Sequence, residues 1–373
     1  MEMPGNGMKR IKKAAADLLL ALFGAHRLIG KSKIQILQLA GLEKDYIYKV
    51  LRRVRSAGDW KVIWESEGEK DLQQAQNEKD DISAKHLFKM ATTKFFIAHV
   101  LLDAFDPERA RLAHKIRSSY MAYGKLEGGR FEKITLNYAG NPIYGYFQHP
   151  RNHPAPPVVM IFPYLGGTKE DMTFFSDYLL SAGFATLRID LPGTGESPGI
   201  LPSDAEKICS GAVDYLFSRE DIDKSKVISL GISMGAYWSM RTAAIDKRLR
   251  LAIGISTPAM TSEQWDKYPE DSWGWWQKCF GTADHRSTRD MAEKLSLWNI
   301  FNNIDCPILL FHGEKDTISH PKTMEMIIGE SKYEPDIRSY KKSGHGCLDM
   351  MMEDVMPFTL KWCNEKLSLP MKN

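Results

Sequence analysis

Two features are missing from the sequence: an apolar run long enough to cross a membrane, and a cysteine pattern that would bind a metal or form a redox pair. Nothing in its 373 residues approaches 18 uninterrupted apolar residues, so no membrane span is expected. The five cysteines are scattered, odd in number and without a C-x-x-C pair. Such a set is typical of reduced thiols, and we therefore predict a cytoplasmic protein.

Charge of one sign does not dominate either. The 50 Lys and Arg residues and the 47 Asp and Glu residues leave a formal net charge of +3, which indicates no particular acidic partner. The histidines form no cluster with metal-ligand spacing, so no metal is expected. The composition is that of a globular protein, with 43% hydrophobic and 26% charged residues. The chain is long enough for one large α/β domain plus an accessory piece, or for two medium domains.

The N-terminus resembles a secretory signal in one respect, because the basic residues 9–13 precede an apolar run over 14–23. Asp17 interrupts that run, and no small-x-small cleavage site follows before His26 and Arg27. The pattern therefore favours an amphipathic helix over a secretory signal.

Residues 1–127 are predicted to form a helical region. From about Met8 to Lys125 apolar residues recur at spacings of three and four, and the alternation typical of strands is scarce. The polar stretch Glu65 to Asp81 is predicted to be a solvated helix or a loop. Four helices are predicted, over Ile11 to Ala25, Lys44 to Ser56, Ile82 to Phe105 and Pro107 to Tyr123.

One part of this region allows a second interpretation. Lys31 to Ala57 has a helical pattern, an Ala-Gly turn and another helical pattern that bears Arg52, Arg53 and Arg55, as in a DNA-binding helix-turn-helix. Nearby acidic residues cancel this charge and no basic arm flanks it, which favours two packed helices with a solvated basic face. No nucleic acid partner is therefore expected.

Residues 128–373 are predicted to be an α/β domain. A hairpin is predicted from the alternating pattern of Phe131 to Tyr138 and the following segment Ile143 to Gln148. After this hairpin, apolar strands alternate with helices. This alternation predicts a doubly wound, mostly parallel sheet with functional groups at the carboxyl ends of its strands. The later strands are predicted over Val158 to Phe162, Phe184 to Ile189, Lys226 to Leu230, Leu249 to Ser256, Pro307 to Phe311 and Ile337 to Tyr340.

The candidate nucleophile is Ser233. Residues 227–237 run from an apolar strand through a small-residue turn into a helical pattern, and residues 231–235 read G-I-S-M-G. In a G-x-S-x-G turn between strand and helix the serine hydroxyl is exposed at the sheet edge, and the glycines relieve a crowded backbone. The N–H of Met234 can then face a developing oxyanion.

A serine nucleophile needs a base and an acid, and in this fold the chain order is serine, acid, histidine. Asp316 ends the segment H-G-E-K-D after an apolar strand, and His345 follows the next strand between two glycines. These two are the predicted acid and base, with Glu314 as the close competitor for the acid.

Other candidates fit less well. His312 is predicted to support the acid loop, and His320, which opens a helix, is expected to be exposed. Asp305 precedes its strand and so lies at the wrong end of the sheet.

The second oxyanion donor is expected from the turn after the strand Val158 to Phe162. Residues 163–168 read P-Y-L-G-G-T, and a glycine-containing turn lets a backbone N–H face the site. Leu165 is the predicted donor, with Gly166 as the alternative, and Tyr164 is a candidate substrate contact. Residues 190–197, D-L-P-G-T-G-E-S, lack the phosphate-loop pattern and are predicted to be a rigid structural loop.

Residues 257–300 interrupt the alternation and are predicted to be an insertion of short helices. The segment holds Trp265, Trp273, Trp275, Trp276 and Phe280 among polar residues. Such dense aromatics indicate either local packing or contacts with substrate. Trp265 and Trp273 are the candidate substrate contacts. Glu263 is a candidate for holding a proton, although the interpretation as an exposed surface glutamate is favoured.

The segments GISMG, DLPGTGES, HGEKD and GHG, in this order, resemble the α/β-hydrolase superfamily over about Phe131 to Lys366. The helical region before them and the segment L-G-G-T-K-E-D resemble the group of FrsA-like esterases, 2,6-dihydroxypseudooxynicotine hydrolase and fungal heptaketide-shortening hydrolases. This resemblance implies a helical cap over the site, homodimers in some members, and cleavage of an ester or of a carbon–carbon bond beside a ketone. Relatives often have glycines where this chain has Pro163 and Tyr164.

We therefore predict a cofactor-free serine hydrolase that acts on a small, aromatic or polyketide-like substrate, without a membrane partner and with a homodimer as a possible assembly. An acyltransferase or cyclase with the same triad is one alternative, because a dry acyl-enzyme would transfer its acyl group. A helix-turn-helix protein on an inactive hydrolase scaffold is another.

Overall fold

The computed structural model describes residues 40–128, 130–151, 153–259, 270–297, 299–319 and 322–368, together with 20, 21, 25–30, 34, 37, 38, 265 and 268. Most of the helix predicted over Ile11 to Ala25 lies outside the described residues, as do Glu263 and His320. The chain divides into two compact units, Met1–Gly128 and Gly129–Asn373. No helix in the described ranges is long and apolar enough to cross a bilayer.

The first unit is helical. Its core contains the buried side chains of Ile47, Val50, Trp64, Phe95 and Leu112. Burial of such large apolar side chains is the main force that holds small helical units together. The described helices span Ala25–Leu28, Lys44–Leu51, Ala57–Asn77, Asp81–Val100 and Glu108–Lys125.

The polar stretch from Glu65 belongs to the helix Ala57–Asn77, which begins with a capping box between Ser56 and Asp59. Its acidic side chains pair with cations: Lys115 Nζ lies 2.6 Å from Glu65 Oε1, and Arg53 lies 2.7 Å from Glu67. Pairing of this kind explains why a sequence with little apolar periodicity is helical.

The second unit contains an eight-stranded sheet. In chain order the strands β1 to β8 span Phe131–Tyr138, Asn141–Gln148, Val158–Phe162, Ala185–Ile189, Val227–Ile232, Leu251–Ile255, Ile308–Gly313 and Asp336–Tyr340. Their order across the sheet is β1-β2-β4-β3-β5-β6-β7-β8. The strands β1 and β2 form an antiparallel hairpin, β2 pairs antiparallel with β4, and all other neighbours are parallel. The prediction of a mostly parallel, doubly wound sheet is therefore confirmed.

The central strands β3 to β7 are buried along their whole length, as expected for a parallel sheet covered by helices on both faces. The helix after β3 begins at Thr173, and the last helix begins at Met356. The helices of this unit span Thr173–Ser181, Glu206–Ser218, Met234–Ile245, Glu270–Phe280, His285–Ala292, Lys322–Glu330 and Met356–Ser368.

Candidate active site

Ser233 lies on a strained turn between β5 and the helix Met234–Ile245, with φ of 54° and ψ of −121°. A Cβ atom on Gly231 would lie 2.1 Å from the carbonyl carbon of Gly235, and one on Gly235 would lie 2.0 Å from the carbonyl oxygen of Phe162. Both glycines are therefore required by lack of space. A side chain held at such a φ is typical of a residue that the surrounding structure fixes for function.

The three predicted side chains meet at the carboxyl edge of the sheet. Ser233 Oγ lies 2.8 Å from Nε2 of His345, and Nδ1 of His345 lies 2.9 Å from Oδ2 of Asp316. At these distances the serine donates a hydrogen bond to the histidine, and the histidine donates one to the carboxylate.

Asp316 is held as an acceptor from several directions. Its Oδ1 also accepts the backbone N–H groups of Ile318 at 2.8 Å and Ser319 at 2.9 Å, and the side chain is buried. Burial acts to raise the pKa of Asp316, but the bonds from His345 and the backbone outweigh it, so the pKa lies below its usual value. The competing Glu314 is exposed, and Asp305 pairs with Lys332 on the surface.

Ser256, which the sequence analysis did not single out, connects the loops that bear the acid and the histidine. It follows β6 with a φ of 51° and is fully buried. Its Oγ accepts the N–H of Gly346 at 2.8 Å, and its carbonyl oxygen accepts the hydroxyl of Ser319 at 2.8 Å. A serine directly after an apolar strand was the only signal in the sequence.

The turn after β3 lies against the start of the helix Met234–Ile245, since a Cβ on Gly235 would contact both Phe162 and Pro163. In the part of the chain that the structure describes, neither the Leu165 N–H nor the Met234 N–H has a hydrogen-bond acceptor. Free N–H groups beside a helix N-terminus are suited to an anionic oxygen.

Gly166, the alternative donor, lies beside Cys279. Burial raises the pKa of the Cys279 thiol to about 12, while the charge of Lys278 and the Gly166 N–H act in the opposite direction. Leu165 stays the predicted second donor.

Tyr164 lies half-buried in the same turn. Its hydroxyl donates to Oδ2 of Asp171 at 3.1 Å, and that oxygen also accepts the Thr168 N–H at 2.9 Å. Burial raises the pKa of Asp171 to about 7, and the negative charge of Glu170 adds to the shift.

A buried ion cluster joins this turn to the loop after β4. Nζ of Lys169, a residue with no exposed surface, lies 2.6 Å from Asp190, 2.8 Å from Glu196 and 3.0 Å from Glu170. Burial acts to lower the pKa of Lys169, but the charges of Asp190 and Glu170 outweigh it and raise the pKa, so the ammonium stays charged. A Cβ on Gly195 would lie 2.0 Å from Oδ2 of Asp190, so only glycine fits there.

The two tryptophans predicted to contact substrate lie in the insertion. Trp265 has no exposed surface and packs edge-on against Trp276 at 4.9 Å between ring centroids. Trp273 is half-buried and stacks on His285 at 4.7 Å. Their role in binding stays a prediction. His312 is buried within β7.

Among the described residues, no group of three or more His, Cys, Asp or Glu side chains is arranged to hold a metal ion. The contacts of Ser233, His345 and Asp316 allow nucleophilic attack by a serine whose proton passes to a histidine.

Two sequence profiles match the chain. The profile of the family described as Esterase FrsA-like matches residues 34–261, and that of the Prolyl oligopeptidase family matches residues 209–369. Among characterised proteins, the chain is 27% identical over 268 residues to 2,6-dihydropseudooxynicotine hydrolase of Paenarthrobacter nicotinovorans, covering 69% of this chain and 71% of that protein.

It is also 25% identical over 209 residues to Esterase FrsA of Vibrio cholerae serotype O1, covering 54% of this chain and only 49% of that esterase. The match therefore spans about half the length of the FrsA relative. The crystal structure of 2,6-dihydroxy-pseudo-oxynicotine hydrolase superposes with a TM-score of 0.81 over 89% of this chain and 95% of that one, at 22% identity. Since the FrsA-like profile covers well over half of its residues, the chain belongs to the FrsA-like esterase family and is an α/β hydrolase.

Proposed function

We propose that the chain hydrolyses carboxylic esters of small, aromatic or polyketide-like acids through an acyl-enzyme on Ser233. The observation that carries this proposal is the hydrogen-bonded chain from Ser233 through His345 to Asp316, with distances of 2.8 and 2.9 Å, on a turn that only glycine permits on either side. The match to the FrsA-like family supports the proposal as well, because the description of that family is Esterase FrsA-like.

In the proposed reaction Ser233 Oγ attacks the ester carbonyl carbon while its proton passes to Nε2 of His345. Asp316 stabilises the resulting imidazolium, and the N–H groups of Met234 and Leu165 stabilise the oxyanion. The tetrahedral adduct collapses as the leaving alkoxide takes the proton from His345. A water molecule, deprotonated by the same histidine, then releases the acid and restores Ser233.

A second candidate is cleavage of a carbon–carbon bond beside a ketone, which the resemblance to ketone-cleaving members of the group favours. The attack on the carbonyl is the same, and the leaving group is a carbanion instead of an alkoxide. It departs as a stabilised enolate or takes the proton from His345. The two reactions therefore differ in the leaving group that the pocket must stabilise.

The test has two stages. A fluorophosphonate should label the wild-type protein and leave Ser233→Ala unlabelled, because the probe reacts only with an activated serine. Absence of label in the wild type would refute the proposal and favour an inactive scaffold.

Wild-type protein that has not been exposed to the probe is then assayed on aryl and short-chain acyl esters in parallel with 1-aryl-1,3-diketones. Faster turnover of the diketones than of the esters would favour cleavage of a carbon–carbon bond over ester hydrolysis. Products formed with and without an added alcohol are compared, and dominant transfer to the alcohol would indicate an acyltransferase.

A further inference from the structure

The helix Glu270–Phe280 contacts the proposed oxyanion turn at one residue, Gly166. A Cβ atom on Gly166 would lie 2.1 Å from Cε3 of Trp275 and 2.5 Å from Cζ3, so the six-membered ring of the indole occupies the space of a side chain at this position. Gly166 also has a φ of 71°, a conformation that favours glycine. The indole therefore lies directly on the backbone of the turn.

A second residue of the same helix lies near Gly166. Cys279 lies four residues after Trp275, one helical turn away on the same face, and is buried. The Gly166 N–H acts to lower the pKa of its thiol, so the two groups are neighbours. The contact of the indole with Gly166 restricts the Cα position, and because a peptide is planar, it restricts the carbonyl of Leu165 as well.

This helix is itself held in place. Trp276 is buried and stacks on Phe280 at 5.3 Å between ring centroids. The carbonyl oxygen of Cys279 accepts the Leu201 N–H at 2.7 Å, and a Cβ on Gly193 would lie only 3.2 Å from that oxygen. The Trp-rich insertion is therefore anchored to the loop after β4 while Trp275 contacts the turn after β3.

We infer that Trp275 is a positioning residue for the proposed reaction: its indole holds the oxyanion turn so that the N–H of Leu165 faces the oxygen of the tetrahedral adduct. This inference rests on the proposed function. A displacement of the turn by about an ångström weakens such a hydrogen bond strongly, and loss of a single oxyanion donor costs about 10²- to 10³-fold in kcat. Trp275 acts through Gly166 and not by contact with the reacting atoms.

Trp275→Ala should lower kcat on an activated ester by roughly 10²-fold with little change in KM, because the lost interaction exists only in the transition state. Gln277→Ala is the matched control. It truncates another side chain of the same helix, at a residue with no part in the proposed site. Its kcat should stay within about threefold of the wild type, as expected for a substitution away from the reacting atoms.

A size exchange provides the sharper test. Gly166→Ala should lose activity because its methyl group overlaps the indole. Adding Trp275→Ala to Gly166→Ala should not reduce kcat further and should restore part of it, because the overlap is removed. Additive losses in the double variant would overturn the inference.

Affinity for an aryl trifluoromethyl ketone separates positioning from a general loss of structure, since this inhibitor forms a serine adduct with an oxyanion. Its Ki should rise in Trp275→Ala by the same factor as kcat/KM falls. If Trp275→Ala does not fold, Trp275→Phe is measured in the same way. A Ki that does not change, or a kcat equal to that of Gln277→Ala, contradicts the inference. If the wild type is not labelled by the fluorophosphonate, the proposed function fails first, so the two failures are distinguishable.

Discussion

Lys169→Met should destabilise the protein far more than an equivalent change at the surface. The Lys169 ammonium has no exposed surface and balances three carboxylates, those of Asp190, Glu170 and Glu196, at 2.6 to 3.0 Å. Methionine fills the same space but removes the ammonium that neutralises the buried carboxylates of Asp190 and Glu170. Breaking a buried pair by removing one partner costs about 3–5 kcal/mol, or a fall in Tm of roughly 6–20 °C for a unit of this size.

Lys133→Met is the matched control, because Lys133 pairs with the same Glu196 at 2.8 Å but keeps 34% of its side chain exposed. A surface pair contributes only about 0–1 kcal/mol, so its Tm should fall by less than about 4 °C. Both Tm values are measured by calorimetry at pH 7 and low salt.

The double variant Lys169→Met with Glu196→Gln should recover part of the loss, since it lowers the repulsion among the three carboxylates that Lys169 neutralises. Equal Tm values for Lys169→Met and Lys133→Met would refute the reasoning that burial decides the strength of this cluster.

The remaining predictions concern the site and its turn. Gly235→Ala should lose fluorophosphonate labelling and fold poorly, because its methyl group would lie 2.0 Å from a carbonyl oxygen at the end of β3, whereas Gly211→Ala, with nothing within 4 Å, should fold and label normally. Asp316→Asn should fold normally and lower kcat on an activated ester by about 10⁴-fold, since an amide does not stabilise the imidazolium; near-normal turnover would assign the acid to another carboxylate. Asp171→Asn tests a raised pKa of about 7. With a raised pKa, the protonated Asp171 carboxyl favours folding at low pH, and this stability is lost as the pH rises through about 7. The Tm of Asp171→Asn minus the Tm of the wild type should therefore increase from about pH 4 to pH 7. A Tm difference that stays constant across this range contradicts the shift.

The parts of this protein that follow from local pattern could be predicted from the sequence. Runs such as Val158 to Phe162 and Val227 to Ile232 are mostly apolar because both faces of a central parallel strand are buried, so the alternation of strands and helices predicts the fold. Ser233 follows such a strand and His345 follows the edge strand Asp336–Tyr340, and strand ends of one parallel sheet meet at one edge. The glycines around Ser233 belong to the same local signal.

Other features depend on contacts between segments that are distant in sequence. Lys169 stands in a polar stretch and looks like a solvated helix start, yet the loop after β4 covers it completely. The polar stretch from Glu65 is helical because of cations supplied by residues about 50 positions later, among them Lys115. No local periodicity contains such information.

Taken by itself, the sequence determined which strands form the sheet and which serine, histidine and carboxylates reach its carboxyl edge, because those properties follow from periodicity and chain order. The tertiary structure alone decided which carboxylate His345 contacts, which N–H of the turn stays free, and which tryptophan touches that turn. Each of these choices depends on side-chain direction, which loop dihedral angles and packing against remote segments set. Asp316 is buried while Glu314 two residues earlier is exposed, and Trp275 rather than Trp273 lies on Gly166 for the same reason.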